Sequence, residues 1–367
     1  MELRSATRWL CARGQFGAFA AACAMASAAN AQWSVVNLHP GEAEVSQAFG
    51  VESGQEIGYA AYDAGGHASL WSGTAASITD LHPASMAFSY ALGGGGGQEV
   101  GYAGVVGSEP RASLWSGTAA SWTDLNPAGG SFSVAYGANG SRQVGWANVG
   151  GITQASLWSG TASSWTSLQP AGASESRAYH VDGSQQVGIA RIGGWQHASI
   201  WSGTASSWLD LNPVGAEQSE ALGIHGAQQV GVVHLDGVTR ASLWSGTAGS
   251  WVDLHPVGAI ESNAFAVYDG QQVGWVEVTR GELRASLWSG AAASRVDLHS
   301  FLPAGYESSE ARGIWRDESH TYVVGWGSHG SGRNEAVMWV GPVPAPSGLL
   351  VVGAGLLPAM LRDRRRH

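Results

Sequence analysis

Residues 155–168 read Ala-Ser-Leu-Trp-Ser-Gly-Thr-Ala-Ser-Ser-Trp-Thr-Ser-Leu, and close copies of this stretch recur along the chain. Two further blocks, Gln-x-Val-Gly and Ser-x-Ala, recur in the same phase. A fixed period of this kind is typical of repeat architectures. The copies of Ala-Ser-Leu-Trp or a near variant end at seven tryptophans, spaced by 44, 43, 43, 43, 44 and 51 residues: Trp71, Trp115, Trp158, Trp201, Trp244, Trp288 and Trp339.

Each copy contains four short strand candidates joined by turn signals. In the third copy these are residues 133–137, 143–147, 155–159 and 165–168. Asn-Gly at 139–140 is a hairpin signal, and apolar residues do not recur at helical spacing over the length that a helix needs. Four strands in 40–45 residues are typical of one propeller blade. We therefore predict an all-β fold, a seven-bladed β-propeller of about 43-residue repeats.

The two ends of the repeat region look like complementary parts of one blade. The segment 33–38 resembles a fourth strand with no blade before it, and the last copy ends with a third strand at 335–340. We predict that these two strands pair and close a propeller domain at 32–340. The small residues of Ser-x-Ala-x-Gly favour the innermost strand position and Trp-x-Asp-Leu the outermost. An open β-solenoid is the alternative, and it would require caps at both ends.

The composition fits short strands and turns, and it argues against nucleic-acid binding. Gly accounts for 54 of the 367 residues, and charged residues for 13%. All 18 basic residues are Arg, and the region 32–361 has 11 of them against 26 acidic residues, a formal charge of −15. A nucleic-acid backbone is bound by clustered positive charge, which this region lacks. The two cysteines, Cys11 and Cys23, precede the repeats, so we expect no disulfide in the propeller.

The first 31 residues have the layout of a secretory signal peptide. Three arginines precede an apolar run at 16–28, and the small residues Ala29 and Ala31 follow it. We predict cleavage of a signal peptide 1–31 before Gln32, and hence export. A short membrane anchor is one alternative, although the run is shorter than a bilayer span. A lipoprotein processed at Cys23 is another, but the residues before it form a poor lipobox.

The C-terminus has three parts in a fixed order: a Pro-rich linker at 341–347, a hydrophobic helix at 348–361 and an Arg-rich tail at 362–367. This order resembles the PEP-CTERM sorting signal, with Val-Pro-Ala-Pro in place of Pro-Glu-Pro. The resemblance implies an exosortase-like sorting enzyme as partner, a tail kept on the cytoplasmic side, and a final location at the cell surface or in the extracellular matrix. A plain C-terminal membrane anchor is the alternative, and in both cases we expect the hydrophobic helix to dock in the inner membrane at least transiently. The motif residues are Val343, Pro344, Ala345, Pro346, Arg364, Arg365 and Arg366.

The order of the repeat blocks resembles the HAF-type bacterial extracellular repeat. In that family the first block is usually His-Ala-Phe-Leu-Trp, and a Gly often follows Asp-Leu. Here Ala-Ser replaces Ala-Phe, and a Pro replaces the Gly. The resemblance covers about 300 residues, and it implies export and a β-repeat architecture but no reaction.

Histidines and aspartates recur near the fourth strand, but at positions that do not build a site. His39, His82, His255 and His299 occupy one repeat position in four neighbouring copies, too far apart to share a metal ion. We expect polar side chains there to bond the crossing loop, and the aspartates before Leu-x-Pro, such as Asp80, to serve in turns. No nucleophile, zinc, phosphate or calcium motif is present. We therefore expect no catalytic residue, metal or cofactor.

Most of the 18 tryptophans are periodic, and we expect them to pack between blades. Trp195 and Trp315 break the period and are expected to tolerate substitution. The last copy also has extra length, which makes it the place to look for a binding patch; a merely decorated closing blade is the alternative. The candidate patch consists of Trp315, Arg316, Asp317, Glu318, His320, His329 and Arg333.

Together these features favour an exported, surface- or matrix-associated, non-enzymatic propeller scaffold. Its expected ligand is an extracellular polysaccharide or a surface protein. The alternative is a secreted hydrolase or lyase that acts on glycans. A unique cluster of acids with a base on a non-repeating face would favour the enzyme, whereas uniform blades favour the scaffold.

Overall fold

Hairpin turns between the landmark blocks fold each repeat into an antiparallel sheet. In blade 3, Ala135 pairs with Gly145 and Gly145 with Ser156, so the three blocks lie side by side. Seven such four-stranded sheets form a ring, and the chain is a seven-bladed β-propeller, as predicted. The structure, a computed structural model, describes residues 33–62, 65–330 and 332–344.

The strands are numbered one to four from the axis outward in each blade. The first strands are Val45–Glu52, Phe88–Gly94, Gly130–Ala138, Ser176–Asp182, Gln218–His225, Glu261–Tyr268 and Tyr306–Arg316. The second strands are Gln55–Tyr62, Glu99–Gly104, Gln143–Val149, Gln185–Ile192, Gln228–Leu235, Gln271–Thr279 and His320–His329. The third strands are Gly65–Trp71, Arg111–Trp115, Ile152–Trp158, Trp195–Trp201, Val238–Trp244, Glu282–Trp288 and Asn334–Pro342. The fourth strands are Thr79–Asp80, Thr123–Asp124, Thr166–Ser167, Leu209–Asp210, Val252–Asp253, Val296–Asp297 and, for blade 7, Ser34–Asn37. The 3₁₀ turns are Ala75–Ser77, Ala119–Ser121, Ala162–Ser164, Ala205–Ser207, Ala248–Ser250, Ala292–Ser294 and Leu298–Phe301.

Small residues explain why the Ser-x-Ala-x-Gly strand is innermost, as predicted. A Cβ on Gly93 would collide with the backbone carbonyl of Tyr136 in the next blade. The glycine of Val-Gly has the same function within a blade, since a Cβ on Gly145 would collide with the carbonyl of Val134. The fourth strands are shorter than predicted, because Trp165 and its equivalents end the 3₁₀ turn and only two residues pair.

A buried serine joins each blade to the preceding one. Ser219 Oγ accepts the amide N–H of Ala198 at 2.9 Å and donates to Asn212 Oδ1 at 2.6 Å. The amide–serine bond occurs at all seven joints, including Ala336 to Ser46 where the ring closes. At the position of Asn212 each of the other blades has His, Asn or Gln, within hydrogen-bond reach of the serine. The predicted role of these polar residues in bonding the crossing loop is therefore confirmed.

Four of the five fourth-strand aspartates have two structural contacts each, and Asp297 has only the second of them. Asp210 Oδ1 accepts the amide N–H of Asn212 at 2.8 Å, which is the predicted turn role. Its Oδ2 lies 2.7 Å from Nδ1 of His197 on the third strand. The corresponding pairs in other blades are His67–Asp80, Arg111–Asp124, Arg240–Asp253 and Arg284–Asp297, with the uncharged Gln154–Ser167 in blade 3.

Seven apolar clusters lie between neighbouring blades, and each contains one tryptophan of the Ala-Ser-Leu-Trp block. Trp201 of blade 4 packs with Val144 and Ala155 of blade 3 and with Ala178 of its own blade. All seven of these tryptophans are 0% exposed. The block therefore supplies the packing between blades, as its period predicted.

The N-terminal strand closes the ring as predicted. Ser34–Asn37 is the fourth strand of blade 7 and pairs antiparallel with Asn334–Pro342, with Val36 opposite Met338. Leu38 follows it, is fully buried, and donates its amide to Ala336 O at 2.9 Å. We call this pairing the seam.

In the polar pair of the seam, the acid and its partner have exchanged strands relative to the other blades. We call this arrangement reversed polarity. Here the acid is Glu335 on the third strand, and Asn37 on the fourth strand donates to it at 2.8 Å. Tyr306 donates to the same oxygen at 2.8 Å, and Arg333 pairs with the other oxygen. Burial opposes ionisation of Glu335, but the hydrogen bonds from Tyr306, Asn37 and Arg333 outweigh it and lower its pKa to about 2.

A carboxylate is buried at the start of the second strand of blade 1, and its replacement is expected to change the stability of the protein. Glu56 is 1% exposed, accepts the amide of Gly73 at 2.9 Å, and has its pKa raised by burial. Blades 3 to 6 have Gln at this position, and Gln186 both accepts the equivalent amide and donates to Ser184 O. Glu56→Gln is therefore expected to stabilise the protein by about 1 kcal/mol at pH 7, measured by denaturant unfolding.

The pH dependence of the stabilisation tests whether the charge of Glu56 is its cause. A carboxyl whose pKa is raised on folding opposes folding when ionised, and this penalty is lost as the pH falls below the ordinary value of 4.5. The advantage of Glu56→Gln should shrink accordingly in acid. Glu44→Gln, an exposed acid in the same blade, is the matched control. An advantage that is unchanged in acid would contradict the charge explanation.

Candidate functional site

The candidate patch of the last blade divides into two groups that lie far apart. His320 begins the second strand of blade 7 and His329 ends it. At about 3.3 Å per residue these ten residues of strand separate their ends by roughly 30 Å. The predicted residues therefore do not form one site. The first group is Trp315, Arg316, Asp317, Glu318 and His320, and the second is His329 and Arg333.

The first group builds a turn near the axis. Asp317 Oδ1 accepts the amides of His320 and Ser319, both at 2.7 Å, and Oδ2 accepts the Tyr322 hydroxyl at 3.0 Å. These bonds, led by the one from His320, lower the pKa of Asp317. The carboxylate of Asp317 is therefore held by its own turn, while Glu318 is exposed.

Trp315 differs from Trp195, with which the sequence pattern grouped it. Trp195 is 56% exposed, so it fits the expected tolerance to substitution. Trp315 is partly buried, stacks on Tyr322 with ring centroids 5.5 Å apart, and packs against the cluster at the seam. The prediction that Trp315 tolerates substitution is at odds with this packing. Arg316 in the same turn pairs with Asp269 of blade 6.

The second group belongs to the seam. Arg333 pairs with Glu335, and His329 Nε2 lies 3.4 Å from the same carboxylate. The ring of His329 packs on Tyr306, with centroids 4.1 Å apart. Both residues thus contribute to the contacts of the seam.

The positions that differ among the copies lie on the first strands, between the landmark residues. They were overlooked because a position that varies among the copies shows no period, and aligning the copies would have revealed them. The residues after the conserved Ala are Phe49, Leu92, Tyr136, Tyr179, Leu222, Phe265 and Arg312. Three residues further on come Glu52, Gly95, Asn139, Asp182, His225, Tyr268 and Trp315.

These varied residues line a central cavity of about 650 Å³, with walls contributed by the first strands of all seven blades. The volume lies within the range of small-molecule sites. Trp315 is the member of the candidate patch that lines this cavity. The repeats are thus uniform in the blades but different from one another at the axis.

Arg312 supplies a cation to the cavity wall, and that charge is compensated. Its guanidinium carbon lies 4.0 Å from the Phe265 ring centroid and 5.4 Å from that of Phe49. Its Nη1 is 3.4 Å from Glu310 Oε2, two residues earlier on the same strand. Burial lowers the pKa of Arg312 and raises that of Glu310. The pair adds no net charge to the cavity.

Blades 4 and 5 contribute titratable groups that form no salt bridge among the described residues. His180 stands where the other blades have Gly or Ala, and its Nδ1 is buried with no hydrogen-bond partner among the described residues. Glu220 lines the cavity at the level of Arg177, and the charges of His234 and Arg177 act on it. Burial lowers the pKa of His180, so its imidazole is neutral at pH 7, and raises the pKa of Glu220.

Residues near the end of the first strands also link neighbouring turns. Glu52 Oε2 accepts the amide of Gly96 at 2.8 Å, and Asp182 Oδ2 accepts that of Gly226 at 2.6 Å. Asn139 and His225 make related contacts with the next blade. In each of these two carboxylates, one oxygen is therefore occupied by a hydrogen bond to the next blade.

The cavity combines acids, a neutral imidazole and aromatic rings, a set that can bind a polar ligand or transfer a proton. Across 33–62, 65–330 and 332–344, no three His, Cys, Asp or Glu side chains are placed to hold a metal ion. The titratable side chains that line the cavity from blades 4 and 5 are His180, Asp182, Glu220 and His225.

Comparison with known proteins supports the fold only. No protein-family model matches the chain, and no curated protein matches its sequence. The β-propeller domain of the Trilobed protease from Pyrococcus furiosus matches with a TM-score of 0.51 and 7% identity, over 81% of this chain and 94% of that one. That domain is described as having an open velcro topology, whereas the present ring is closed by the seam. Oligogalacturonate lyase from Vibrio parahaemolyticus matches with a TM-score of 0.50 and 9% identity, over 86% and 97% of the two chains.

Other similar structures are matched over only part of their own length. A puromycin-hydrolysing peptidase from Mycobacterium tuberculosis matches with a TM-score of 0.51 and 14% identity, over 77% of this chain and 49% of the peptidase. TolB from Acinetobacter baumannii is matched over 62% of its length. The present chain therefore spans about half to three fifths of these proteins, and at such identities the likeness concerns architecture.

Several predictions about the termini fall outside the described residues. These are the signal peptide with Ala29, Ala31 and Gln32, and the sorting segment from Ala345 and Pro346 to Arg364, Arg365 and Arg366. Val343 and Pro344 follow the last strand of blade 7. Within the described ranges, no helix has the length and apolar character needed to cross a membrane.

Proposed function

We propose that this chain is an exported, surface- or matrix-associated binding protein that takes an extracellular polysaccharide at its central cavity, a surface protein being the alternative ligand. The observation that carries the proposal is the variation of the copies at the cavity wall, where the position of Glu52 differs in all seven, while the blades keep their landmarks. Packing alone would favour similar residues at equivalent positions of a ring. Varied residues around one cavity suit an asymmetric ligand.

Export rests on the signal-peptide layout of residues 1–31 and on the resemblance of the C-terminus to a sorting signal, which implies an exosortase-like partner. The strongly acidic repeat region suits a location without nucleic-acid partners. Neither metal nor cofactor is part of the proposal.

A glycan-acting hydrolase or lyase is the second candidate. The specific observation in its favour is that His180, Asp182 and His225 act on one another electrostatically at one part of the cavity wall, a group that occurs once in the ring. The non-enzymatic function is preferred because Asp182 and His225 already bond the turn of the next blade.

A glycan array with the purified full chain, run beside a hydrolysis and lyase screen on the same glycans, separates the candidates. We expect retention of a defined glycan class without turnover. Turnover that is lost in His180→Gln would favour the enzyme, and retention of no glycan would overturn the polysaccharide proposal.

In the host, replacing Arg364, Arg365 and Arg366 should change the cell fraction in which the protein is found. Unchanged fractionation would overturn the sorting proposal.

A further inference from the structure

Arg312 belongs to one layer of the cavity wall, formed by the residue that follows the conserved Ala of each first strand. The guanidinium carbon of Arg312 lies 4.0 Å from the centroid of the Phe265 ring in blade 6, and Tyr136, three blades away, also acts on its charge. The guanidinium is therefore placed near the axis. The other members of the layer are aromatic or aliphatic: Phe49, Leu92, Tyr136, Tyr179, Leu222 and Phe265.

The N–H groups of Arg312 are poorly satisfied within the protein. A guanidinium has five N–H donors. Glu310 is the one carboxylate within 4 Å of it among the described residues, and the 3.4 Å from Glu310 Oε2 to Nη1 exceeds the length of a well-formed N–H···O bond. The side chain of Arg312 is 29% exposed and lines the cavity. Most of its donors are therefore available to an acceptor on a ligand.

The group that accepts these hydrogen bonds should carry no charge. Glu310 already compensates the charge of Arg312. The described residues that line the cavity include three carboxylates, those of Glu52, Asp182 and Glu220, and no second arginine. An anionic group would be repelled by this excess of negative charge. A carbonyl oxygen, in contrast, accepts N–H bonds without bringing a charge.

The side chains around Arg312 also restrict what can be attached to that oxygen. Leu92, Leu222 and Phe265 line the cavity in the same layer and offer no hydrogen bond. A sugar hydroxyl would bring an O–H donor that the guanidinium and these side chains cannot accept, and an unsatisfied polar group is costly to bury. An acetyl group brings a carbonyl oxygen and a methyl group, which match the guanidinium and its apolar surroundings.

Polar side chains stand three residues further along the first strands, roughly 10 Å away at the rise of a strand. Glu52, Asn139 and Asp182 line the cavity at that level. Their oxygens and amide can bond the hydroxyls of a sugar ring whose acetyl group lies deeper, at Arg312. The cavity thus offers separate places for the two parts of an acetylated sugar.

We propose that the central cavity binds an acetylated sugar unit of a neutral glycan, the acetyl carbonyl accepting N–H bonds from Arg312 and the methyl group lying among the apolar residues of the same layer. This inference rests on the proposed polysaccharide-binding function and names the class of sugar. The acetyl group can be carried as an amide, on an acetamido sugar, or as an ester on a hydroxyl.

Two pairs of trimers test the inference by calorimetry with the full chain. The first pair is the N-acetylglucosamine trimer and the glucose trimer of the same linkage, and the second is an O-acetylated xylose trimer and its deacetylated form. In at least one pair we expect the acetylated member to bind about tenfold more tightly, as for a hydrogen bond to a charged group, with little change as salt is added. The pair that shows the preference distinguishes amide from ester.

Equal binding within both pairs would overturn the acetyl inference, and so would tighter binding of a galacturonate trimer. Polysaccharide binding as such would survive either result if the glycan array retains another glycan class, so the two proposals fail separately. In a crystal structure of the full chain with the preferred trimer, the acetyl oxygen should lie within hydrogen-bond distance of Arg312. An acetyl group placed elsewhere would overturn the inference.

Matched variants assign the preference to Arg312. Arg312→Met combined with Glu310→Gln removes the donors without leaving a buried carboxylate unpaired, and it should abolish the preference for the acetylated trimer. Glu310→Gln alone is the reference and should keep the preference. Arg280→Met makes the same change on an exposed residue outside the cavity and should also keep it. Melting temperatures verify folding, and a preference that survives in the folded double variant would overturn the proposal.

Discussion

Trp201→Ala is expected to lower the free energy of unfolding by about 3–5 kcal/mol, the usual loss when a buried tryptophan is truncated. Trp201 is fully buried between blades 3 and 4, where it contacts Val144 and Ala155. For a domain of this size the melting temperature should fall by on the order of 10 °C. Calorimetry or denaturant unfolding measures the effect.

Trp195→Ala is the control for that prediction. Its side chain lies on the third strand of the same blade and is 56% exposed, so the change should cost less than about 0.5 kcal/mol. If Trp195→Ala proved the more damaging of the two, packing between blades could not be what holds the ring together.

Removal of residues 33–40 is expected to open the ring and to give an even larger loss. The deletion takes away the strand that pairs with 337–340, the buried Leu38 and a hydrogen-bond donor to Glu335. It also exposes the edge of the third strand of blade 7, and unpaired edges favour aggregation. We expect a lower melting temperature than for Trp201→Ala and concentration-dependent aggregation. Shortening the exposed turn at 105–109 is the control, and equal effects of the two deletions would contradict closure by the seam.

The reversed polarity of the seam can be tested without a deletion. Asn37→Asp introduces the residue that most other blades have, yet it places a second carboxylate against Glu335 and should destabilise by about 2 kcal/mol. Adding Glu335→Gln leaves one carboxylate with the polarity of the other blades and should restore most of the loss. A double-mutant cycle measures the coupling, and additive effects would show that the two side chains do not act as a pair.

The repeat landmarks predicted the ring because they are residues that every blade needs. Gly145 avoids a backbone collision, Ser219 joins two blades, and Trp201 fills the space between them. These requirements repeat with the blade, so they appear in the sequence as a period. The seam was predicted from the same period, because the last copy lacked a fourth strand and the segment 33–38 was a fourth strand without a blade.

The cavity could not be predicted in this way, because its residues are those that do not repeat. His180 and Glu220 are 40 residues apart in sequence, and only the ring brings their strands to one wall. The candidate patch illustrates the opposite error. His320 and His329 are close in sequence, but an extended strand places them at opposite ends of a blade.

The repeated serine joint has a consequence for how the gene can change. Unequal recombination between tandem repeats adds or removes whole copies, and here the new neighbours would meet through the same bond that Ser219 makes with Ala198. Asn37 and Glu335 lie at the two ends of the repeat array, so an internal event leaves their pairing intact. Each gained or lost copy would, however, add or remove one cavity-lining residue at every level of the wall. Recombination would therefore alter ligand recognition in steps of one blade while the closure of the ring is inherited unchanged.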